Sequence, residues 1–172
     1  MPAHPGTVVS VPPVVELTAR HVRGLAECHI ACWREAYQGL VPDHLLDAFD
    51  DDRRAAQWER IRSEGSATVH VALADDAVIG FSSAGPARDG GTGLELHALY
   101  LRAAHHGSGI ADALLDAAIG DRPASLWVFD ANPRARAFYR RAGFEPDGAR
   151  KLEPFSGAVE IRMIRHDNAP TR

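Results

Sequence analysis

The sequence predicts one α/β domain of the mixed (α+β) kind, and three observations carry that expectation. At 172 residues the chain suits a single hydrophobic core, since domains usually run about 100 to 200 residues. Its apolar periodicity changes near Ser66, from three-and-four spacing to short alternating runs. After the first three of those runs, helical and strand patterns take turns to the end, with no internal repeat or low-complexity tract between them.

Residues 1–13, MPAHPGTVVSVPP, lack the basic-then-apolar layout of a secretory signal and are expected to be a flexible lead-in, with 14–166 the domain and 167–172 a polar tail. VVEL at 14–17 is the first strand, and Thr18 a candidate helix cap. From His21 to Gln38 the residues Val22, Leu25, Ala26, Ile30, Trp33 and Tyr37 make one helical face, ended by Gly39. LVPDHLLDAF proposes a short helix, and Asp50 to Arg62 a charged one carrying Trp58. TVHVALADD, AVIGFSSAGP and LELHALYL then make three antiparallel strands, with turns at Asp75–Asp76 and between Arg88 and Gly93. GIADALLDAAIG is a helix stopped by Gly120, and ASLWVFD the next strand. NPRARAFYRRAGF starts with Asn132 as cap and Pro133 in the first turn, where no backbone donor is needed, and closes at Gly143. RKLEPF and AVEIRMIRH form a terminal strand pair around Ser156 and Gly157.

Composition narrows the function. A net charge of −4 argues against a nucleic-acid partner, because such proteins display a concentrated basic face. No apolar run approaches the roughly 20 residues of a membrane span, so a soluble protein is expected, and without a secretory-signal layout a cytoplasmic one. Cys28 and Cys32 lie four apart on a helix without a CxxC spacing and are expected to be ordinary thiols in a reducing compartment. The histidines show no HExxH or other metal spacing, so no metal is expected, and His105 and His106 are placed on the surface.

The most informative segment is LELHALYLRAAHHGSGIADALL: a strand, a short loop, then Gly107 and Gly109 leading into a helix. Glycines there let a backbone approach a ligand, and free amides at a helix start suit a phosphate. A nucleoside-triphosphate loop would need GxxxxGK[ST], which is missing. A dinucleotide fingerprint would need a third glycine where Asp112 stands, although Asp130 lies near the position of its acid.

HGSGIA instead resembles the [QR]xxGx[GA] loop of the GNAT superfamily of acetyl-CoA-dependent N-acetyltransferases, with His106 where the family usually has Arg or Gln. The LELHALYL strand, the NPRARAFYRRAGF unit and WREAYQGLVPDHLLDAF resemble parts of that family in their expected order. The resemblance implies a mostly antiparallel central sheet flanked by helices, in which two neighbouring parallel strands, LELHALYL and SLWVFD, splay to admit the donor. It further implies that backbone amides of Gly107, Ser108, Gly109, Ile110, Ala111 and Asp112 hold the pyrophosphate, that Leu99, Tyr100 and Leu101 pair with the pantetheine arm, and that Asn132 hydrogen-bonds that arm. Tyr139 matches the tyrosine that protonates the departing thiolate, a role suited to a phenol of ordinary pKa about 10.

Direct transfer also needs a proton acceptor for the amine. Strict alternation on LELHALYL puts Glu95 and His97 on one face, opposite Leu94, Leu96 and Ala98, which makes Glu95 the candidate base and His97 a weaker candidate near the acceptor. By the same resemblance Trp33 and Tyr37 would line the acceptor side. The expectation is an acetyl group moved from acetyl-CoA to a small-molecule or peptide amine by direct attack. A non-catalytic acyl-CoA sensor and a dinucleotide-dependent oxidoreductase are the alternatives, and self-association as a homodimer stays open.

Overall fold

A computed structural model describes residues 11–88 and 91–167, so most of the lead-in and tail, and two residues of the turn before Gly93, lie outside the described residues. The strands are β1 (Val14–Glu16), β2 (Thr68–Ala74), β3 (Ala77–Pro86), β4 (Leu94–Leu101), β5 (Ala124–Phe129), β6 (Glu145–Leu152) and β7 (Val159–Arg165). The helices are α1 (Val22–Tyr37), α2 (Asp43–Leu46), α3 (Asp51–Glu64), α4 (Ile110–Ile119) and α5 (Pro133–Arg141). The seven strands form one sheet in the order β1-β2-β3-β4-β5-β7-β6. Every pairing is antiparallel except β4 with β5. That excludes a doubly wound parallel sheet, and with it the fold a dinucleotide oxidoreductase would need. Asp130, its candidate acid, is instead ion-paired with Arg136 and Arg150.

Alternation on the strands sends apolar side chains to both faces, so the sheet is covered on both sides. Val69, Val71, Leu73 and Phe81 meet Leu25, Ala26, Cys28 and Trp58 of α1 and α3. On the other face Leu96, Leu126, Val128 and Met163 meet Leu115, Ala118 and Ile119 of α4 and Tyr139 of α5. Local chemistry sets the ends of these elements. Asp50 caps α3 by accepting from the Arg53 amide at 2.7 Å, and Asn132 caps α5 by accepting from the Ala135 amide at 3.1 Å. The Asp75–Asp76 turn has positive φ at both residues, the twist a tight hairpin between β2 and β3 requires.

Two expectations change. Thr18 makes no cap bond to the backbone; its hydroxyl lies 3.1 Å from the His21 ring at a short 3-10 turn. The final strand pair is longer than RKLEPF suggests, because β6 starts at Glu145, with an irregularity between Pro146 and Arg150 that hides the strand pattern from a period-2 search.

The feature that shapes the functional site is in β4. Its register with β3 passes from Ser83↔Ala98 to Ala84↔Leu96, so His97 is an extra, bulged residue. Leu96 therefore packs on the α4 side while Ala98 packs on the α1 and α3 side. Pairing of β4 with β5 is limited to Glu95↔Ser125 and Leu96↔Leu126, and beyond the bulge the two strands part.

Candidate active site

The gap between β4 and β5 opens a cleft of about 880 Å³, within the range of small-molecule sites. Its walls are β4 from Leu96 to Leu101, the loop and first turn of α4, the end of β5, the start of α5, and Cys32 to Tyr37 of α1. Of the candidates, His97, Leu99, Tyr100, Leu101, Gly107, Gly109, Ala111, Asp112, Asn132, Tyr139, Trp33 and Tyr37 line it together. Ser108, Ile110 and Glu95 do not. Ser108 turns its hydroxyl to the His105 carbonyl at 2.5 Å, and Ile110 is buried against Leu114.

At one end the loop presents backbone. Gly107 and Gly109 have φ of +76° and +83°, and a Cβ built on either would meet nothing within 4 Å, so the space over the turn is open. The first bond within α4 runs from the Ala113 amide to the Gly109 carbonyl, which leaves the amides of Ile110, Ala111 and Asp112 ahead of it at the positive end of the helix. This is the cradle a phosphate fits. Asn132 has a double use: its Oδ1 caps α5, while its Nδ2 has no partner among the described residues and is not sealed from the cleft.

Tyr139 sits where the two strands part, its ring packed edge-on against Phe138 at 5.2 Å and Phe144 at 5.9 Å. Burial pushes its phenol pKa up, so it holds its proton across the physiological range. The hydroxyl bonds no described residue yet is not sealed off, and so it opens on the cleft.

Glu95 and His97 stay on one side of the sheet despite the bulge, because a Cβ on Gly85, the residue opposite Glu95, would meet the His97 ring at 3.0 Å; it is Ala98 that leaves the face of Leu94 and Leu96. Glu95, next to Leu96 and opposite Gly85, faces the α1 and α3 side. It is buried, and Arg88 holds its carboxylate through the backbone amide at 2.9 Å and the guanidinium at 2.6 and 2.8 Å. Of the two, His97 reaches the cleft. Its Nε2 lies 3.0 Å from the Pro86 carbonyl, which requires the hydrogen on Nε2 and leaves the Nδ1 lone pair free to accept. Burial lowers its pKa, so the ring is neutral near pH 7. Gly85 makes room for it, since a Cβ there would come within 3.0 Å of the ring.

The far end is aromatic and acidic. Trp33, Tyr37 and Phe129 meet edge-on, and the Tyr37 hydroxyl bonds that of Tyr100 at 2.9 Å. Burial raises the pKa of both phenols. Glu153 and Glu160, which sequence reasoning missed, also line this end. Glu153 is fixed by the amides of Phe155 and Ser156, and Glu160 faces Lys151 Nζ at 3.8 Å. Alternation along AVEIRMIRH gives Glu160 a face, but only the placing of β7 beside β5 turns that face toward the cleft. Cys32, expected only as an ordinary thiol, stands in the wall of the cleft. Its Sγ lies 3.8 Å from that of Cys28, and this contact and burial raise its pKa, so it stays an unreactive thiol. Among the described residues no group of His, Cys, Asp and Glu is placed to hold a metal, and no helix is long and apolar enough to cross a membrane.

Comparison with known proteins agrees with this geometry. The profile of the acetyltransferase (GNAT) family matches residues 28–144. A probable N-acetyltransferase of Mycobacterium tuberculosis is 26% identical over 151 residues, covering 82% of this chain and 87% of that protein. Among solved structures, the PaiA N-acetyltransferase of Thermoplasma acidophilum in complex with coenzyme A aligns with a TM-score of 0.68 at 18% identity, over 91% of this chain and 99% of that one. The Salmonella typhimurium protein yncA, solved with its cofactor acetyl-CoA, aligns with a TM-score of 0.68 at 18% identity, over 95% and 98% of the two chains.

Proposed function

The chain belongs to the acetyltransferase (GNAT) family, and on that premise we propose that it moves an acetyl group from acetyl-CoA to a primary amine of a small molecule or peptide by direct attack. The observation that carries this reading is the meeting, in one cleft, of the glycine-opened start of α4, the parted edges of β4 and β5, and the inward Tyr139 hydroxyl.

The residues divide the work along the cleft. Backbone amides from Gly107 to Asp112 bind the donor's pyrophosphate, and the edge of Leu99 to Leu101 that β5 leaves unpaired, together with Asn132 Nδ2, orients the arm. Tyr139 is the proton donor for the thiolate that leaves, being protonated and desolvated at the point where negative charge develops. The amine must shed a proton as its nitrogen forms the amide bond. We assign that proton to His97 Nδ1, because His97 lines the cleft as a neutral ring, and we assign Glu95 the role of fixing β4 through its Arg88 pair. Trp33, Tyr37 and Phe129 form the acceptor wall. No step uses a cysteine, so the transfer needs no covalent acyl-enzyme.

The test is a coupled thiol-release assay with acetyl-CoA against small amines, amino acids, aminoglycosides and peptide N-termini. Release of free thiol that depends on one acceptor class is expected. Tight binding of acetyl-CoA with no release for any acceptor would overturn catalysis and support a sensor.

A further inference from the structure

We propose that Arg134, held in place by His106, is the side chain that binds a phosphate of the acyl donor. This rests on the donor reading above and adds to it a cation that the loop's own residues do not supply.

Both residues line the cleft beside Gly107 and Gly109, although they come from different elements. Arg134 stands in the first turn of α5, and its Nη1 lies 2.6 Å from His106 Nδ1. Its Nη2 comes within 3.0 Å of Nε2 of the same ring without a hydrogen bond, since Nε2 carries its own hydrogen. Nε2 in turn lies 2.9 Å from the Leu101 carbonyl oxygen. A carbonyl can only accept, so the ring hydrogen is on Nε2, and Nδ1 is the acceptor for the guanidinium. The chain of donors therefore runs from Arg134 to His106 to the end of β4, and it ties α5 to the loop across the mouth of the gap.

The charge that results is unusual for this cleft. Arg141, the other arginine in its lining, has the Asp112 carboxylate 3.7 Å away. Among the described residues Arg134 has no carboxylate within ion-pair distance, and its partner is an imidazole already donating to a carbonyl, which leaves the positive charge uncompensated. A guanidinium carries five N–H donors in a flat fork, and the ring engages it on one side only, so donors remain for a second, anionic partner. The group sits beside the open amides of the α4 start, at the end opposite Trp33, Tyr37, Glu153 and Glu160. A phosphate seated on those amides is the anion within its reach, and a fork of this kind matches phosphate oxygens in pairs. His106 is then a positioning residue, and Arg134 the binding one.

The experiment measures CoA affinity by titration calorimetry for wild type, Arg134→Ala, Arg134→Lys, His106→Ala and the double variant, and runs transfer kinetics with acetyl-CoA and with acetyl-pantetheine, which has no phosphate. Loss of one charge-assisted contact predicts about tenfold weaker CoA binding by Arg134→Ala, with partial recovery in Arg134→Lys. KM for acetyl-CoA should rise by about the same factor while kcat at saturation stays within about twofold, and acetyl-pantetheine kinetics should not change. His106→Ala should weaken binding in wild type but add little to Arg134→Ala, as expected of a residue that acts through the arginine. With 3′-dephospho-CoA, a penalty that persists assigns Arg134 to the diphosphate, and one that vanishes assigns it to the 3′-phosphate; either supports the proposal. Wild-type affinity in Arg134→Ala, or an equal loss with acetyl-pantetheine, overturns it while leaving the donor reading intact. Failure of wild type to bind acetyl-CoA at all overturns both.

Discussion

Removal of one oxygen atom separates chemistry from packing in this cleft. Tyr139→Phe keeps the ring that sits among Leu96, Val128, Phe138 and Phe144, and the lost hydroxyl bonds no described residue, so no partner is stranded. Stability should therefore stay within about 1 kcal/mol of wild type, which for a chain of this size is a few degrees at most in Tm. The rate should behave differently. A positioned acid typically contributes about 100-fold or more, so kcat should fall by at least about 100-fold, equivalent to roughly 3 kcal/mol, with KM for acetyl-CoA nearly unchanged. Because burial raises the phenol pKa, the donor stays protonated on the alkaline side, and the wild-type profile should show no loss from this group up to about pH 10. The assay is steady-state thiol release with thermal unfolding run on the same samples. A kcat within about threefold of wild type would refute the assignment of Tyr139 as the acid.

Three further outcomes follow from groups already placed. Gly109→Val puts a β-branched residue at φ +83°, which costs about 1–2 kcal/mol of backbone strain and points its side chain into the open space over the amides, so CoA affinity should fall at least about tenfold with the fold retained; unchanged affinity in calorimetry would count against the cradle. His97→Gln should remove the acid limb of the kcat/KM profile, which in wild type falls below a pKa lowered from the usual His value near 6.5, whereas Glu95→Gln should lower Tm and change kcat by less than about tenfold; the reverse pattern would make Glu95 the base. His29 is buried beneath Trp58, whose Nε1 donates to its Nδ1 at 3.2 Å, and burial lowers its pKa to about 3. The unfolded chain thus binds a proton below about pH 6.5 that the folded chain refuses, so stability should fall as pH falls, by up to about 1.4 kcal/mol per unit, and His29→Gln should flatten that slope in urea titrations between pH 4 and 6.

The elements were legible because each carries local chemistry. Asp50 and Asn132 announce helix starts, Gly120 a helix end, and paired aspartates a hairpin. The glycine-opened end of the cleft was legible for the same reason, since the positive φ of Gly107 and Gly109 and the Asn132 cap are set by backbone geometry within a few residues of themselves. What failed was alternation across the β4 bulge. A single extra residue at His97 turns Ala98 away from the face of Leu94 and Leu96, and nothing in LELHALYL marks it, because the bulge is defined by its partner strand. The aromatic and acidic end of the cleft was hidden for a different reason. Glu153, Glu160 and Phe129 come together only through the order β5-β7-β6, in which the last strand of the chain lies inside its predecessor. The contact of His106 with Arg134 was missed likewise, because Arg134 is 28 residues away in the first turn of α5.

The claim that the donor lies in the gap between β4 and β5 is tested most directly by a crystal structure of the protein with acetyl-CoA. Pyrophosphate density is expected against the amides of Gly107 to Asp112, with the pantetheine arm along the Leu99 to Leu101 edge and the thioester sulfur within hydrogen-bond reach of the Tyr139 hydroxyl. Density for the donor anywhere else on the chain, with the cleft between β4 and β5 left to solvent, would contradict it.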